Sequence, residues 1–285
     1  MNTALRAALR AGTKRGWIEY RKSFANGQDM FNYFGLGAVF LGVAFLLRGS
    51  SVEGAEVSVG AMVVASIIGF MVTMGGIITV AQILATERED GTLLRAKTLP
   101  RGLTGYVVGK SVHILLVTLT NILIVLVPSF FLLEQFAVDG ARGWFTLLWV
   151  FVLGITATVP IGAIVGSLIR SPRTAMGLVM IPVMGLTMIS GIFFQFSAVP
   201  VWAQWIAQVF PVYWVGLGTR SVFLPDAMLS VEVGESWRLL ETAGVLGAWS
   251  LVGLVAAPIV LRRMANRESG SRLAASRDKA LQSTV

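Results

Sequence analysis

Residues that could perform chemistry are few and scattered in this chain. His113 is the only histidine, cysteine is absent, and no pair of carboxylates lies in the long apolar runs. Acid–base catalysis, thiolate chemistry or metal binding would need several such groups close together. A lone histidine in an apolar segment is more often a hydrogen-bonded structural residue than a proton carrier, and we expect Gln82 and Asn121 to bond across helices. The sequence therefore predicts no catalytic residue and no metal site.

Residues 105–111 superficially resemble a phosphate-binding loop. Gly105 and Gly109 precede Lys110 and Ser111, but three residues separate the two glycines where the phosphate cradle needs four. The segment also leads straight into an apolar run and has no preceding β-strand. We interpret Lys110 as a cationic anchor at the membrane interface and do not expect this chain to bind nucleotide.

A polar stretch at residues 86–100 separates two apolar runs. Its pattern predicts an acidic helix extension, a break at Gly91, a short helix and a stop at Pro100. The apolar residues of the short helix are Leu93, Leu94 and Leu99. Such a helix can dock in a groove of a partner protein or lie on the membrane surface, and its chemistry leaves both alternatives open.

The elements that must position these residues are predicted to be transmembrane helices. The 285 residues are 55% hydrophobic and 13% charged, whereas an ordinary soluble domain is about 25% charged. Six apolar runs approach or exceed the length needed to cross a bilayer, and their centres carry no ionised residue. They are Phe31–Leu47, Val57–Leu84, Val107–Leu133, Trp144–Ile169, Met176–Phe196 and Leu239–Leu261. We predict an all-α integral membrane protein whose single six-helix domain occupies residues 29–261.

Small residues within these runs are spaced for close contact between helices. The pairs are Gly162/Gly166, Ala243/Gly247 and Gly253/Ala257. We expect them to serve packing rather than substrate contact.

Basic residues are distributed unequally between the loops. Nineteen of the 23 Lys and Arg residues lie in the first segment, residues 87–110, residues 170–173 and the last segment. The opposite loops carry four cations and eight of the 15 acidic residues. The positive-inside rule therefore predicts that both termini lie in the cytoplasm. Because the net charge of +8 arises from these loops, it does not indicate nucleic-acid binding.

Residues 1–28 are predicted to form an amphipathic helix on the inner membrane surface. At 100° per residue, one side carries Leu5, Leu9, Trp17, Tyr20 and Phe24, and the opposite side carries Arg10, Lys14, Arg15, Arg21 and Lys22. A solvated basic tail is the alternative. Residues 262–285 are predicted to form a basic cytoplasmic tail.

The polar stretch resembles a motif of one membrane-protein family. The string Glu87-Arg88-Glu89-x-Gly91-Thr92-Leu93, with Leu99-Pro100 a few residues later, is similar to the coupling helix of ABC type-2 exporter permeases. Leu94 departs from the family, in which an acidic residue is common at that position. The basic amphipathic start also resembles the family's interface helix.

A second similarity lies before the last apolar run. The segment containing Pro200, Trp202, Trp205, Pro211, Tyr213 and Arg220 is similar to the family's external re-entrant helices. Independently of that resemblance, Trp202, Trp205, Tyr213 and Trp214 are expected to form an aromatic belt at the outer membrane interface.

The resemblance implies a permease subunit of a bacterial exporter in the cytoplasmic (inner) membrane. It implies a separate ATP-binding-cassette ATPase that holds ATP and Mg, and a second permease protomer of the same or a similar chain. This chain would bind no cofactor, would contact membrane lipid, and would work by alternating access along a pathway lined by its first, second and fifth spans.

The predicted cargo is amphipathic or hydrophobic, such as a drug, an antibiotic or a lipid, because the apolar runs offer no buried charge to select ions. Two alternatives stay open: an ion-gradient-driven transporter or channel, and a membrane scaffold that transports nothing.

Overall fold

The computed structural model describes residues 3–52, 54–55, 57–89, 102–133, 136–169, 172–193 and 196–282. Within these residues the fold is all-α, and extended backbone pairs only at an isolated bridge between Ser51 and Ser58. The helices are α1 (Thr3–Ser23), α2 (Gly27–Leu46), α3 (Val59–Thr73), α4 (Val80–Glu89), α5 (Gly102–Leu132), α6 (Gly140–Leu168), α7 (Pro172–Ile189), α8 (Val201–Val209), α9 (Pro211–Phe223) and α10 (Leu239–Gln282). A π-helical stretch, Met74–Thr79, joins α3 to α4 without a break.

Five helical segments among the described residues are long and apolar enough to cross a membrane. They are Gly27–Leu46, Val59–Glu87, Thr104–Leu132, Gly140–Leu168 and Leu239–Leu261. A 29-residue helix is about 43 Å long, which exceeds a hydrocarbon core of about 30 Å. These segments confirm five of the six predicted spans, with boundaries that differ by four residues at most.

The segment predicted as the fifth span, Met176–Phe196, contains a shorter apolar helix. Its apolar part is Gly177–Ile189 within α7. Gly191 follows with a φ of +70°, a backbone conformation that favours glycine, and a 3₁₀ turn forms at Phe196–Ala198. The apolar run is therefore divided between a helix and a turn, and a count of six spans stays a prediction.

Polar side chains fix where the first two spans begin. The side chain of Asn26 accepts a hydrogen bond from the backbone N–H of Gln28, and that of Ser58 accepts one from Ala61. Both are N-caps, which satisfy backbone donors that have no partner inside the helix. The chain between α2 and α3 turns tightly, because the N–H of Val52 donates to the carbonyl of Val57.

The short helix α9 lies in the middle of the core. It is buried along almost its whole length and packs against α3, α6 and α10. Its glycines bring the backbones close together. A Cβ added to Gly69 of α3 would lie 2.9 Å from the Cα of Gly216, and one added to Gly218 would lie 2.9 Å from a methyl of Val150. The core of this bundle thus forms around a helix too short to cross the membrane.

Small residues pack the joined helix α3–α4 against α6. A Cβ added to Gly162 would lie 2.5 Å from the carbonyl oxygen of Gly76, and one added to Gly166 would lie 2.7 Å from the Cα of Ala81. These contacts confirm that this pair serves packing. Gly253 also packs, against Pro160, whereas a Cβ added to Gly247 would meet no atom of the described residues within 4 Å, so the contact predicted there is not made among them.

Candidate functional site

An ion network joins three helices at the end of the bundle that contains Glu87. Lys110 of α5 lies 2.5 Å from a carboxylate oxygen of Glu87 in α4 and 2.6 Å from one of Glu19 in α1. Arg15 pairs with Glu19 at 2.8 Å, and the hydroxyl of Tyr106 donates a hydrogen bond to Glu87. Charges therefore alternate along a path from α1 through α5 to the end of α4. We call these five residues the inter-helix ion network.

Glycines hold α1 against α5 beside this network. A Cβ added to Gly12 would lie 2.5 Å from the carbonyl oxygen of Gly105, and one added to Gly16 would collide with that of Gly109. Each helix thus presents two glycines four residues apart, the spacing that lets helix backbones approach closely. Gly105 and Gly109, which superficially resemble a phosphate loop, are packing residues here.

The contact between α1 and α5 corrects part of the predicted amphipathic pattern. Tyr20 was assigned to a membrane-facing side, but its hydroxyl lies 2.7 Å from the hydroxyl of Thr120. Arg15 was assigned to the opposite, solvated side, but it joins the ion network. Helical periodicity alone missed the glycine face, because glycine has no side chain to signal burial.

The network sets the charge state of Glu19. Burial acts to raise the pKa of Glu19, but the hydrogen bonds from Lys110 and Arg15 outweigh it and hold the pKa below its usual value. The hydrogen bond to Glu19 likewise raises the pKa of Arg15. Both groups are therefore ionised at neutral pH, and the link between α1 and α5 is a charged one.

The predicted coupling residues begin inside this site and then leave the described part of the chain. Glu87 belongs to the ion network. Arg88 and Glu89 continue α4, and their side chains are outside the described set. Gly91, Thr92, Leu93, Leu94, Leu99 and Pro100 all lie outside the described residues. Lys110, predicted as a cationic anchor at the membrane interface, pairs with two carboxylates.

The predicted aromatic belt at the opposite end separates into two groups. In α8, which begins after Pro200, Trp202 and Trp205 are 68% and 73% exposed. Tyr213 and Trp214, near the start of α9 at Pro211, are 0% and 3% exposed. Placing all four in one interface belt was therefore wrong, because the second pair lies in the protein core.

A buried ion pair lies beside α9. The Nε of Arg220 is 2.6 Å from Glu232, a second nitrogen of the same guanidinium also donates to Glu232, and a third donates to the carbonyl of Gly191 at 3.1 Å. Arg220 is 1% exposed and Glu232 is 7% exposed. Both residues lie outside the six predicted apolar runs, so the pair does not contradict the expectation that those runs carry no buried charge. The sequence pointed to Arg220 but not to Glu232, whose partner lies twelve residues away across an irregular segment.

Two polar side chains that were predicted to form hydrogen bonds each have one buried atom without a partner among the described residues. The Nδ1 of His113 and the side-chain oxygen of Asn121 are buried and have no hydrogen-bond partner in the described part of the protein. No group of three or more His, Asp or Glu residues within that part could hold a metal ion.

An apolar cavity of about 340 Å³ lies between α3, α5, α6 and α9. Its lining includes Ile68, Leu119, Leu123, Trp144, Leu148 and Thr219. Leu123 and Leu148 are 45% and 59% exposed, so the cavity opens on the side of the bundle. The hydroxyl of Thr219 donates to the carbonyl of Gly216 and offers no free donor. Such a lining accommodates hydrocarbon groups.

Comparisons with known proteins agree with this architecture. The family model described as "ABC-2 type transporter" matches residues 7–224, which include the ion network, the cavity and Arg220. The protein named "Probable multidrug ABC transporter permease YbhR" from Escherichia coli strain K12 is 28% identical over 187 residues. The match covers 65% of this chain and 50% of that protein, and the protein of the same name from Escherichia coli O157:H7 matches equally. The chain thus spans about half the length of the curated relatives it matches.

Proposed function

The chain belongs to the ABC-2 type transporter family, and on that premise we propose that it is the permease subunit of an exporter powered by a separate ATP-binding-cassette ATPase. The family match over residues 7–224, with five apolar segments able to cross a membrane, carries this proposal. In the proposed orientation the Glu87 end faces the cytoplasm and the Arg220 end faces outward. The distribution of basic residues supports this orientation.

The ATPase is proposed to act through the segment that follows α4. Residues 87–100 would form the coupling helix, and movement of that helix would be transmitted directly to the continuous helix α3–α4. The ion network supports this path, because Lys110 links Glu87 to Glu19 and so attaches α4 to two other helices. A displacement of the coupling segment would then move α1, α4 and α5 together.

A second permease protomer is proposed to cover apolar faces that this chain leaves open. Only 18% of the first candidate span is buried within the chain. Phe31 and Leu46 on α2 are 71% and 81% exposed, and Ile181 on α7 is 74% exposed. We propose that the cargo pathway forms between protomers, where α2, α3–α4 and α7 would line it. A homodimer and a heterodimer fit these faces equally well.

The cargo is proposed to be amphipathic or hydrophobic, as in the export of a drug, an antibiotic or a lipid. The relative from Escherichia coli is named as a probable multidrug permease, and the exposed faces of α2 and α7 are apolar. The buried charges do not argue for ion transport, because Arg220 and Glu232 neutralise each other. An ion-gradient-driven carrier would need a buried charge that can change partner or lose a proton.

The decisive experiment is purification of this chain from its native membrane in mild detergent. We expect a soluble protein with a phosphate-binding loop to co-purify, and its ATPase rate to change when it binds the permease. A variant with Glu89→Ala and Leu93→Asp should insert normally and lose that partner. A pure chain without any ATPase would favour an ion-driven carrier or a scaffold and would overturn the proposal.

A further inference from the structure

A cleft separates α5 from α6 in the half of the bundle that contains Arg220. Both helices pack on α3, but their backbones make little contact with each other. Helix α5 is fastened to α1 and α2, whereas α6 is fastened to the joined helix α3–α4, to α9 and to α10. The apolar cavity of about 340 Å³ occupies this cleft. Because different neighbours hold its two walls, closing the cleft would disturb contacts elsewhere in the bundle.

The mouth of the cavity lies at the depth of acyl chains. It is formed by the exposed side chains of Leu123 and Leu148. Leu123 is nine residues from the end of α5 at Leu132, and Leu148 is eight residues from the start of α6 at Gly140. Both therefore lie about 12–14 Å from those helix ends. One leaflet contributes about half of a hydrocarbon core that is about 30 Å thick, so the mouth opens toward acyl chains.

Aromatic side chains border the cavity on the side of those helix ends. The ring centroids of Phe130 on α5 and Trp144 on α6 are 6.4 Å apart. Trp144 is exposed, and its indole N–H makes no hydrogen bond to the residues that the structure describes. A tryptophan with an apolar ring and a free donor is suited to the boundary between acyl chains and headgroups. The rim can therefore receive the polar end of a lipid.

The floor of the cavity is formed by side chains that are otherwise buried. Ile68 and Val72 of α3 and Thr219 of α9 line the cavity, and each is 1% exposed. The hydroxyl of Thr219 donates to backbone carbonyls of its own helix, and apolar cavities do not hold water. Empty space beside such a floor is unfavourable, because the lining atoms lack contact partners. The volume is about twice that of an apolar cavity of about 150 Å³ that takes up benzene, so a hydrocarbon chain can enter.

We propose that the cleft between α5 and α6 binds one acyl chain of a phospholipid from the adjacent leaflet. The chain enters between Leu123 and Leu148, its methylene groups contact Ile68 and Val72, and Trp144 donates to an oxygen of the lipid's polar end. Cargo is the less suitable occupant, because neither α5 nor α6 is among the helices proposed to line the cargo pathway. The bound chain packs against α9 and so supports the helix at the centre of the core. This inference rests on the membrane-spanning assignment and on neither the ATPase partner nor the cargo.

Photochemical crosslinking of the full-length chain tests the site directly. The chain is reconstituted in nanodiscs of phosphatidylcholine, a small share of which carries a diazirine in the middle of one acyl chain. Illumination expels nitrogen from the diazirine, the resulting carbene inserts into a neighbouring C–H bond, and peptide mass spectrometry locates the adduct. We expect adducts on the floor residues Ile68, Val72 or Thr219, as well as on the exposed Leu254 of α10. Lipid that only covers the surface does not reach the floor, so adducts confined to exposed residues would overturn the proposal.

Variants that fill the mouth provide a second test. Leu148→Trp should lose the floor adducts and keep those on Leu254, and Leu123→Phe should give the same loss from the opposite wall. The matched control Leu254→Trp makes the same change away from the cavity and should keep the floor adducts. Native mass spectrometry after extraction in mild detergent should find one phospholipid fewer on each chain of Leu148→Trp than on the parental chain. Floor adducts that survive in both filled variants, or an unchanged number of bound phospholipids, would overturn the proposal.

Discussion

The Nζ atom of Lys110 lies between two carboxylates from different helices, 2.5 Å from Glu87 and 2.6 Å from Glu19. Lys110 thereby connects the end of α4, the helix before residues 90–101, to α1. All three side chains are partly buried, with exposed fractions between 13% and 25%. The pairing is therefore shielded better than a surface salt bridge, whose contribution to stability is small.

Replacing Lys110 by Met should destabilise the protein by about 2 kcal/mol, because it leaves two partly buried carboxylates facing each other. Thermal unfolding in detergent, followed by size-exclusion chromatography, measures the change. Adding Glu19→Gln and Glu87→Gln removes the orphaned charges and should recover most of the loss. If Lys110→Met alone unfolds at the parental temperature, the network does not stabilise the bundle.

The contribution of Glu19 should depend on pH. The pKa of Glu19 in the folded protein lies below the ordinary value of 4.5, so its ionised form favours folding. That contribution is complete above the unfolded-state pKa and is lost as the pH falls through the lower folded-state pKa. The stability difference between the parental chain and Glu19→Gln should therefore be constant near neutral pH and shrink below about pH 4.5. A difference that does not change between pH 7 and pH 3.5 would contradict this assignment.

Much of the membrane architecture follows from the sequence, because hydropathy and the length of an apolar run are local properties. The predicted run Leu239–Leu261 coincides with the part of α10 that is apolar and long enough to cross a membrane. The run at Met176–Phe196 was less predictable, because hydropathy does not register the turn that Gly191 makes after α7. The interior position of α9 is likewise a property of the assembled core rather than of its own composition.

The candidate site was harder to predict, because it depends on contacts between residues that lie far apart in the sequence. The coupling motif identified Glu87, and its partners come from two other helices. The glycines of α1 and α5 have the spacing of close helix contact, but one sequence does not show which helix faces which. Glu232 was missed for a similar reason, since a single acid in a polar loop resembles any solvated charge until its partner is known.

The glycine contact between α1 and α5 can be tested by adding one methyl group. Gly16→Ala should lower stability by about 2 kcal/mol, because the new Cβ would collide with the backbone carbonyl of Gly109. Gly244→Ala in α10 is the matched control, since a Cβ at that helical position meets no atom of the described residues within 4 Å. The control should be neutral or slightly stabilising because Ala favours helix more than Gly does. Equal unfolding temperatures for the two variants would show that the close contact does not form.

The proposed coupling segment can be separated from the fold by the double variant Glu89→Ala with Leu93→Asp. We expect normal insertion and an unchanged elution profile, together with loss of the permease-dependent change in ATPase rate. The paired control Glu235→Ala with Leu240→Asp changes an acid and an exposed leucine at the opposite end of the bundle. That control should retain the ATPase response. Retention by both variants would argue that the ATPase contacts another surface.

Breaking the buried pair between Arg220 and Glu232 should destabilise the protein strongly, whereas replacing both residues should destabilise it much less. Arg220→Met leaves Glu232 buried without a partner and should destabilise the protein by about 3–5 kcal/mol, whereas the double variant Arg220→Met with Glu232→Met should recover most of that loss. Thermal unfolding of both variants measures the difference. Since Arg220 also donates to the carbonyl of Gly191, the double variant should in addition loosen the turn after α7 and increase hydrogen exchange at residues 190–193. If both variants are equally destabilised, the guanidinium acts mainly through Gly191 and not through Glu232.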